Sequence, residues 1–476
     1  MPKHILLTGA TGFLGRALLL RLARDGHRVS ALVRDRDRAR HVVGDDVALV
    51  DAGDTTALAA AVARADAVVN LAGEPIMARR WSSRRKDALI ASRVGVTRAL
   101  AEAAARRGTP LPVLLSASAV GFYGDRGNDL LDETCGAGAG FAAELCAAWE
   151  RAAATVGAAR SVVLRFGIVL GPEGGALGEL ASLARLRLAG RQGDGAQWVS
   201  WIHLADVVEM IVAALGDARW SGVVNAVAPE PARNRDFVAA VAAAVGAGGQ
   251  VRAPASLLRV ALGERAHMLL DSQRCAPRAA ETFGFRFRFP TLEAAVDDLA
   301  PAASAIAIER VDPAAIPDAA YLARRRPRYV LEAHTRLAAP RPEVFRFFAD
   351  AANLELLTPP ALGFRIVTPR PIAMGEGTTI DYALALNGVP LRWRSLIERW
   401  EPGAAFVDAQ LRGPYRAWWH EHAFVPDGDD TIMVDRVFYA PPLGPLGALA
   451  HDLIVRPNLE RIFGFRRHAI RLRFGG

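Results

Sequence analysis

Three glycines at three-residue intervals stand near the start of the chain, in Thr8-Gly9-Ala10-Thr11-Gly12-Phe13-Leu14-Gly15, directly after the apolar run Ile5-Leu6-Leu7. A dinucleotide pyrophosphate rests on the free amide groups that open a helix, which requires glycine where the backbone turns and where it touches phosphate. The spacing G-x-x-G-x-x-G is one residue longer than the dehydrogenase fingerprint, and its place between a strand and a helical segment gives it meaning. Thr8, Gly9, Thr11, Gly12, Phe13, Leu14 and Gly15 are the candidate contacts. Further on, Val33-Arg34-Asp35-Arg36-Asp37-Arg38 holds two options. Asp35 has the spacing of a carboxylate that accepts from the ribose hydroxyls of NAD, and Arg34 could pair with the extra phosphate of NADP. The surplus of arginine makes NADP the expected cofactor, with NAD the alternative.

These groups need a scaffold. From residue 5 to residue 227, short β-branched runs alternate with Ala/Leu/Arg stretches of helical period, the grammar of a parallel, doubly wound α/β sheet. Near Pro301 the alternation stops in an Ala/Pro-rich passage that ends at Arg324-Arg325-Arg326-Pro327. We read 1–300 as a nucleotide-binding Rossmann domain with a small substrate-side part, 301–327 as a linker and 328–476 as an α+β domain. In the last segment Tyr329 to Leu337 alternates like a strand, and Pro342 to Leu357 reads as an amphipathic helix. Strand-like runs follow at Thr378–Leu386, Leu391–Trp400, Phe406–Leu411, Arg416–Phe424 and Thr431–Tyr439, with Asn387-Gly388 as a hairpin turn and a closing helix from Leu449 to Leu472.

Length and composition set the limits. At 476 residues the chain exceeds one ordinary core. Three cysteines at unrelated spacings suit neither a disulfide framework nor a metal site, so a reducing, cytoplasmic setting is expected. The first strand begins within five residues of Met1, and no apolar run reaches the length of a membrane span. The net charge of +8 comes from arginines interspersed with acids, which argues against a nucleic-acid stripe. Only Lys3 and Lys86 among 58 basic residues are lysines.

The glycine turn, Asn70-Leu71-Ala72-Gly73 after the fourth strand and Ser116-Ala117-Ser118 after the fifth resemble the extended short-chain dehydrogenase/reductase superfamily. Glu74-Pro75-Ile76, Arg80-Trp81, Ser92-Arg93, Gly121-Phe122-Tyr123-Gly124-Asp125-Arg126-Gly127, Trp198-Val199-Ser200-Trp201-Ile202-His203 and Asn225-Ala226-Val227-Ala228-Pro229 narrow the likeness to the atypical "epimerase family" of NAD-dependent epimerase/dehydratase-like proteins. The resemblance implies that Asp51 reaches the adenine and that Asn70, Leu71, Ala72 and Gly73 line the nicotinamide half. It also implies that Arg165 and Phe166 close over the cofactor.

The superfamily's catalytic pair is a tyrosine followed four residues later by a lysine, with a serine on the substrate oxygen. None of the six tyrosines here precedes a lysine at that spacing, and the expected place is held by Phe141-Ala142-Ala143-Glu144-Leu145. Arg93 takes the position of the usual asparagine. Two readings follow. In one, the domain acts on a small carbonyl or sugar-like substrate, the proton coming from Ser118, Tyr123, Lys86 or His203, with Glu144 and Cys146 read as helix-face residues. In the other, it binds NADP(H) without turnover as a sensor or scaffold.

Residues 328–476 resemble the helix-grip fold of the START/polyketide-cyclase-like superfamily, SRPBCC, through Ala339-Pro340-Arg341-Pro342-Glu343-Val344-Phe345, Leu356-Leu357-Thr358-Pro359-Pro360 and Gly444-Pro445-Leu446-Gly447. That fold implies an apolar cavity for a lipid-like or aromatic ligand. Tyr382, Trp393, Trp400, Trp418, Trp419, His420 and His422 are candidates to line it. His420 and His422 share a strand face with no third ligand near in sequence, so no metal is expected. Glu421 and Asp435 are acid/base candidates that only geometry can judge. The expected partners are a small-molecule substrate and a hydrophobic ligand, with no nucleic acid and no membrane span; pairing of two copies as a homodimer stays open.

Overall fold

The structure, a computed structural model, describes residues 2–172, 190–244, 252–300, 306–386, 388–442 and 447–476. It divides into two units, Met1–Ala300 and Pro301–Gly476.

The first unit is built on a seven-stranded parallel sheet. Its strands are β1 (His4–Thr8), β2 (Arg28–Val33), β3 (Ala48–Asp51), β4 (Ala67–Asn70), β5 (Leu111–Ala119), β6 (Ala158–Phe166) and β7 (Gly222–Ala226). They lie side by side in the order β7-β6-β5-β4-β1-β2-β3. Helices α1 (Phe13–Arg24), α2 (Arg36–Val43), α3 (Thr55–Arg64), α4 (Ser83–Ile90), α5 (Val96–Ala105), α6 (Phe141–Ala154) and α7 (Leu204–Gly216) connect them. β1 is covered on both faces, so Ile5, Leu6 and Leu7 run without polar interruption and are at most 1% exposed. Leu6, Val68 and Leu114 pack with Leu58 of α3 and Leu100 of α5 on one side of the sheet. Helix starts are fixed locally: Asp54 accepts from the Thr56 and Ala57 amides, and Ser82 accepts from that of Arg85.

The second unit is an eight-stranded antiparallel sheet with a long closing helix. Its strands are β8 (Ile306–Arg310), β9 (Tyr329–Leu337), β10 (Arg365–Ile366), β11 (Thr379–Leu386), β12 (Val389–Glu401), β13 (Ala405–Arg412), β14 (Ala417–Asp427) and β15 (Asp430–Ala440), ordered β8-β9-β15-β14-β13-β12-β11-β10. The two helices that matter are α8 (Arg341–Phe348) and α9 (Arg456–Phe474). Period-2 burial along β9 and β15 gives one face to the core and one to water.

The structure corrects three expectations about extent. The passage 301–327 is not a free linker: Ile306–Arg310 pairs antiparallel with Tyr329–Ala333 because Ile306 and Ile308 are buried at period 2, and Ala320–Arg324 forms a short helix that seats Tyr321 and Leu322. The helix expected over Pro342–Leu357 stops at Phe348, where Asp350 caps a separate short turn over Ala351–Glu355. The closing helix reaches Phe474 and is preceded by a widened turn over His451–Val455. Asn387 of the expected hairpin turn, residues 301–305 of the expected linker and Gly444-Pro445-Leu446 of the resemblance lie outside the described residues. Among the described residues, no helix is long and apolar enough to cross a membrane.

Candidate functional site

Parallel register gathers the candidate residues of the first unit on one edge. Thr8 lies beside Asn70, Asn70 beside Ser116, Ser118 beside Arg165 and Arg165 beside Asn225. This is the carboxyl edge of the strands, where open α/β sheets bind ligands. At the turn, Gly9 has φ +71°, and the Gly12 amide donates to the Gly9 carbonyl at 2.9 Å. A Cβ on Gly9 would lie 2.6 Å from the Leu71 carbonyl oxygen, and one on Gly15 would lie 2.2 Å from the Gly9 carbonyl oxygen. The glycines thus let the turn press against Leu71, just past β4, and let α1 press against the turn. Thr11 and Gly12 are exposed at the tip, with Phe13 and Leu14 half-buried behind them.

Other members of the predicted set hold the turn from behind. The Thr8 hydroxyl donates to Asn70 Oδ1 at 2.7 Å and accepts from the Ala72 amide at 3.0 Å, while Asn70 Nδ2 donates to Thr97 and Ser116. Both side chains are buried, so they position Leu71-Ala72-Gly73 instead of meeting a ligand directly. Arg93 does likewise: its guanidinium donates to the Glu74 carbonyl at 2.9 Å and stacks over Trp149. Asp51 accepts from the Gly53 amide at 2.7 Å at the end of β3.

Asp35 and Arg34, the two options for the ribose end, differ in the structure. Asp35 is the N-cap of α2, its carboxylate accepting from the Arg38 amide at 2.9 Å. Arg34 is exposed and pairs with Glu74 at 3.3 Å, and Glu74 is also bound by Arg85. The arginines keep the Glu74 carboxyl below its ordinary range, Arg85 foremost.

The groups expected to move protons divide sharply. Ser118 donates to Glu150 Oε1 at 2.6 Å, and Arg165 grips the same carboxylate with Nε and Nη2, both at 2.8 Å. Arg165 also donates to the Tyr123 hydroxyl, which donates to Asn225 Oδ1 at 2.7 Å, and stacks 3.5 Å over the Phe122 ring. The Arg165 guanidinium is therefore turned into the protein, which corrects its expected place over the cofactor. Tyr123 is fully buried, and burial raises its phenol despite Arg165, so it stays protonated and packs into the core. His203 is fully buried too: Nδ1 accepts from the Ala205 amide as N-cap of α7, Nε2 lies 3.5 Å from Asp298, and the ring packs at a tilt against Phe289. It orients a buried turn, which corrects its expected catalytic place. Lys86 differs. Its ammonium pairs with Glu264 at 2.6 Å and sits 4.9 Å over Phe141, the residue standing where the superfamily's tyrosine belongs. Trp81 packs edge-on against the same ring. Glu150, which the sequence did not single out, organises this edge; its only signal was a place two turns into the helix that Phe141 opens.

In the second unit a cavity of about 210 Å³ lies between the sheet and α9, on the order of the space that holds one aromatic ring. Tyr382, Trp393, Trp418, His420 and His422 line it as expected. Trp419 faces the opposite side with Phe438, and Trp400 packs on Phe345. Glu421 is also on the far face, paired with Arg399 and Arg436. At one end of the cavity, four carboxylate and imidazole groups meet because cross-strand register sets Asp408 opposite His420 and His422 opposite Asp435. The expectation that no third ligand accompanies the two histidines is thereby corrected: Asp408 comes from the neighbouring strand, 12 positions before His420 and 14 before His422, in a segment read only as a strand. Burial alone would raise the Asp435 carboxyl, but Arg466 of α9 and both imidazoles bring it well below the ordinary carboxylate range.

A glycine turn between β1 and α1 of a parallel sheet, with polar side chains along the same sheet edge, defines a Rossmann-type nucleotide-binding protein of the short-chain dehydrogenase/reductase kind. The NAD dependent epimerase/dehydratase family model matches residues 5–226, and a domain of unknown function, DUF1731, matches 253–299. Human epimerase family protein SDR39U1 is 34% identical over 301 residues, 62% of this chain and 99% of the relative. The chloroplastic SDR39U1 homolog of Arabidopsis thaliana is 34% identical over 290 residues, 60% of this chain and 82% of the relative. A crystal structure of human SDR39U1 (isoform 2) with NADPH is similar with a TM-score of 0.57 and 32% identity, covering 63% of this chain and 99% of that one. The chain belongs to the NAD dependent epimerase/dehydratase family, on the SDR39U1-like branch. Both family models end within the first unit.

Proposed function

We propose that the first unit binds NADP(H) and uses it on a small carbonyl or sugar-like substrate without a Tyr-xxx-Lys pair, and that the second unit carries a hydrophobic ligand. One observation supports the phosphorylated cofactor above others: the Asp35 carboxylate, at the NAD-like position, is occupied as the cap of α2, while Arg34 lies exposed beside it. The human relative's structure with NADPH agrees with this reading. Arg34→Asp is expected to weaken NADPH binding by about tenfold or more while leaving NADH binding within about twofold, a charge-assisted phosphate contact being worth about 1.5–3 kcal/mol. Calorimetric titration of both cofactors into both proteins measures it, and an unchanged preference would sink the assignment.

For turnover, Lys86 is the ammonium positioned to polarise a substrate oxygen over Phe141, in place of the missing hydroxyl. Lys86→Met is expected to lower kcat/KM for NADPH-dependent reduction by roughly 10²-fold, the scale on which one oxyanion-type donor acts. Loss of reduced nicotinamide across a panel of aldehydes and ketones is the measurement.

A specific observation favours the second reading, a non-catalytic sensor: the hydroxyls of Ser118 and Tyr123 are both committed to internal partners. Tight NADPH binding with no oxidation across the panel would establish it. For the second unit, the helix-grip resemblance and the apolar lining support a lipid-like or aromatic ligand. Mass spectrometry of small molecules extracted from the purified full chain tests that part.

A further inference from the structure

The polar end of the cavity in the second unit brings two imidazoles and two carboxylates together. Asp435 Oδ1 faces both imidazoles, 3.0 Å from His420 Nε2 and 2.9 Å from His422 Nδ1. A carboxylate only accepts, so His420 turns its Nε2–H toward Asp435 and its Nδ1 carries the lone pair. His422 has two arrangements: Nδ1–H toward Asp435 with the lone pair on Nε2, or Nδ1 accepting from Arg466 Nη2, 3.0 Å away, with Nε2–H toward Asp408. His420 Nδ1 and His422 Nε2 both point at the same atom, Asp408 Oδ2, at 3.6 and 3.1 Å. Three ligand atoms on three side chains thus converge within 4.8 Å of one another. A His422 proton shared with Asp408 or a metal ion satisfies the set.

Two further features favour the ion. The outer carboxylate behind both imidazoles is the arrangement that orients metal-bound histidines and raises their basicity. The second oxygen of Asp408 is itself held, 3.3 Å from the Ser395 hydroxyl, which also accepts from Trp393 Nε1 at 3.0 Å. Both histidines are at most 6% exposed, yet they line the cavity, so free coordination positions would open on it.

We propose that His420 Nδ1, His422 Nε2 and Asp408 bind a divalent transition-metal ion, with Asp435 as the outer carboxylate and the remaining coordination positions directed into the cavity. Two imidazoles and one carboxylate suit zinc or iron(II), and three protein donors leave room for a ligand oxygen. The occupant that fits is a small molecule with an apolar body and one carbonyl or hydroxyl oxygen. The proposal does not depend on the reading of the first unit.

The test uses the full chain, stripped with chelator and then titrated with Co(II), with Zn(II) as competitor. One equivalent per chain is expected, with visible d–d absorption, quenching of tryptophan emission from Trp418, whose ring centroid is 6.2 Å from that of His420, and reversal of both signals by Zn(II). His422→Gln and the isosteric Asp408→Asn should lose the cobalt spectrum. Because either variant can fail to fold, X-ray absorption on the wild-type cobalt protein gives an independent reading: a shell of two imidazoles supports the site. Wild-type protein that takes up no Co(II) or Zn(II) would overturn the proposal and leave the cluster as a proton-sharing network. Binding that persists in folded variants would overturn it as well.

Discussion

Glu150→Ala is expected to destabilise the first unit by about 3–5 kcal/mol, the cost of removing one partner from a buried, hydrogen-bonded ion pair. The Arg165 side chain is 4% exposed and that of Glu150 is 13%, so water cannot replace the lost carboxylate. Ser118 would lose its acceptor at the same time, and the guanidinium would be left with the Tyr123 oxygen and the faces of Phe122 and Tyr123. Thermal unfolding of the full chain followed by calorimetry should show the corresponding transition lowered by on the order of 5–15 °C. A double variant, Glu150→Leu with Arg165→Met, should recover much of the loss, because it removes both charges and leaves none unpaired. Additive losses in the double variant would show that the pair does not act as a unit.

Gly12→Val and Gly15→Val should separate binding from folding. At Gly12 an added Cβ meets only the Gly9 carbonyl oxygen, at 3.1 Å, and the position is exposed, so stability should change by less than about 1 kcal/mol. On the proposed reading of the turn as the pyrophosphate site, the branched side chain would nevertheless stand in the way of the phosphates, and NADPH affinity should fall by about 100-fold or more. At Gly15 the same change drives Cβ into backbone, 2.2 Å from the Gly9 carbonyl oxygen and 2.8 Å from Ala10 Cα. Neither atom is the end of a flexible side chain, so α1 must separate from the turn. Affinity and stability should fall together, the latter by about 1–3 kcal/mol or more. Fluorescence titration with NADPH and melting curves on both variants provide the comparison. A Gly12→Val protein that binds NADPH as the wild type does would remove the turn as the cofactor site.

The sequence by itself determined the parallel sheet, the position of the glycine turn and the boundary near residue 300. Each rests on short-range signals: β-branched runs of strand length, glycines at fixed offsets and the end of a strand–helix alternation. It also determined that no tyrosine precedes a lysine at the catalytic spacing, since an absent residue is legible without coordinates. In the second unit the strands were legible from period-2 patterning, because one face is wet and the other dry.

Only the tertiary structure decided what the polar side chains face. Ser118, Tyr123 and His203 carry the right chemistry in sequence, yet Tyr123 and His203 are turned into the core, and Ser118 is tied to a glutamate 32 residues away. Asp35 and Arg34 are neighbours in sequence, and the helix cap alone tells them apart. The passage read as a linker gained a strand because an unpaired edge of the sheet was there to receive Ile306 and Ile308. Asp408 and Asp435 reach His420 and His422 only across strand register, a relation set by pairing between strands and not by distance along the chain. Periodicity reports whether a face is buried; it cannot report which buried groups will meet there.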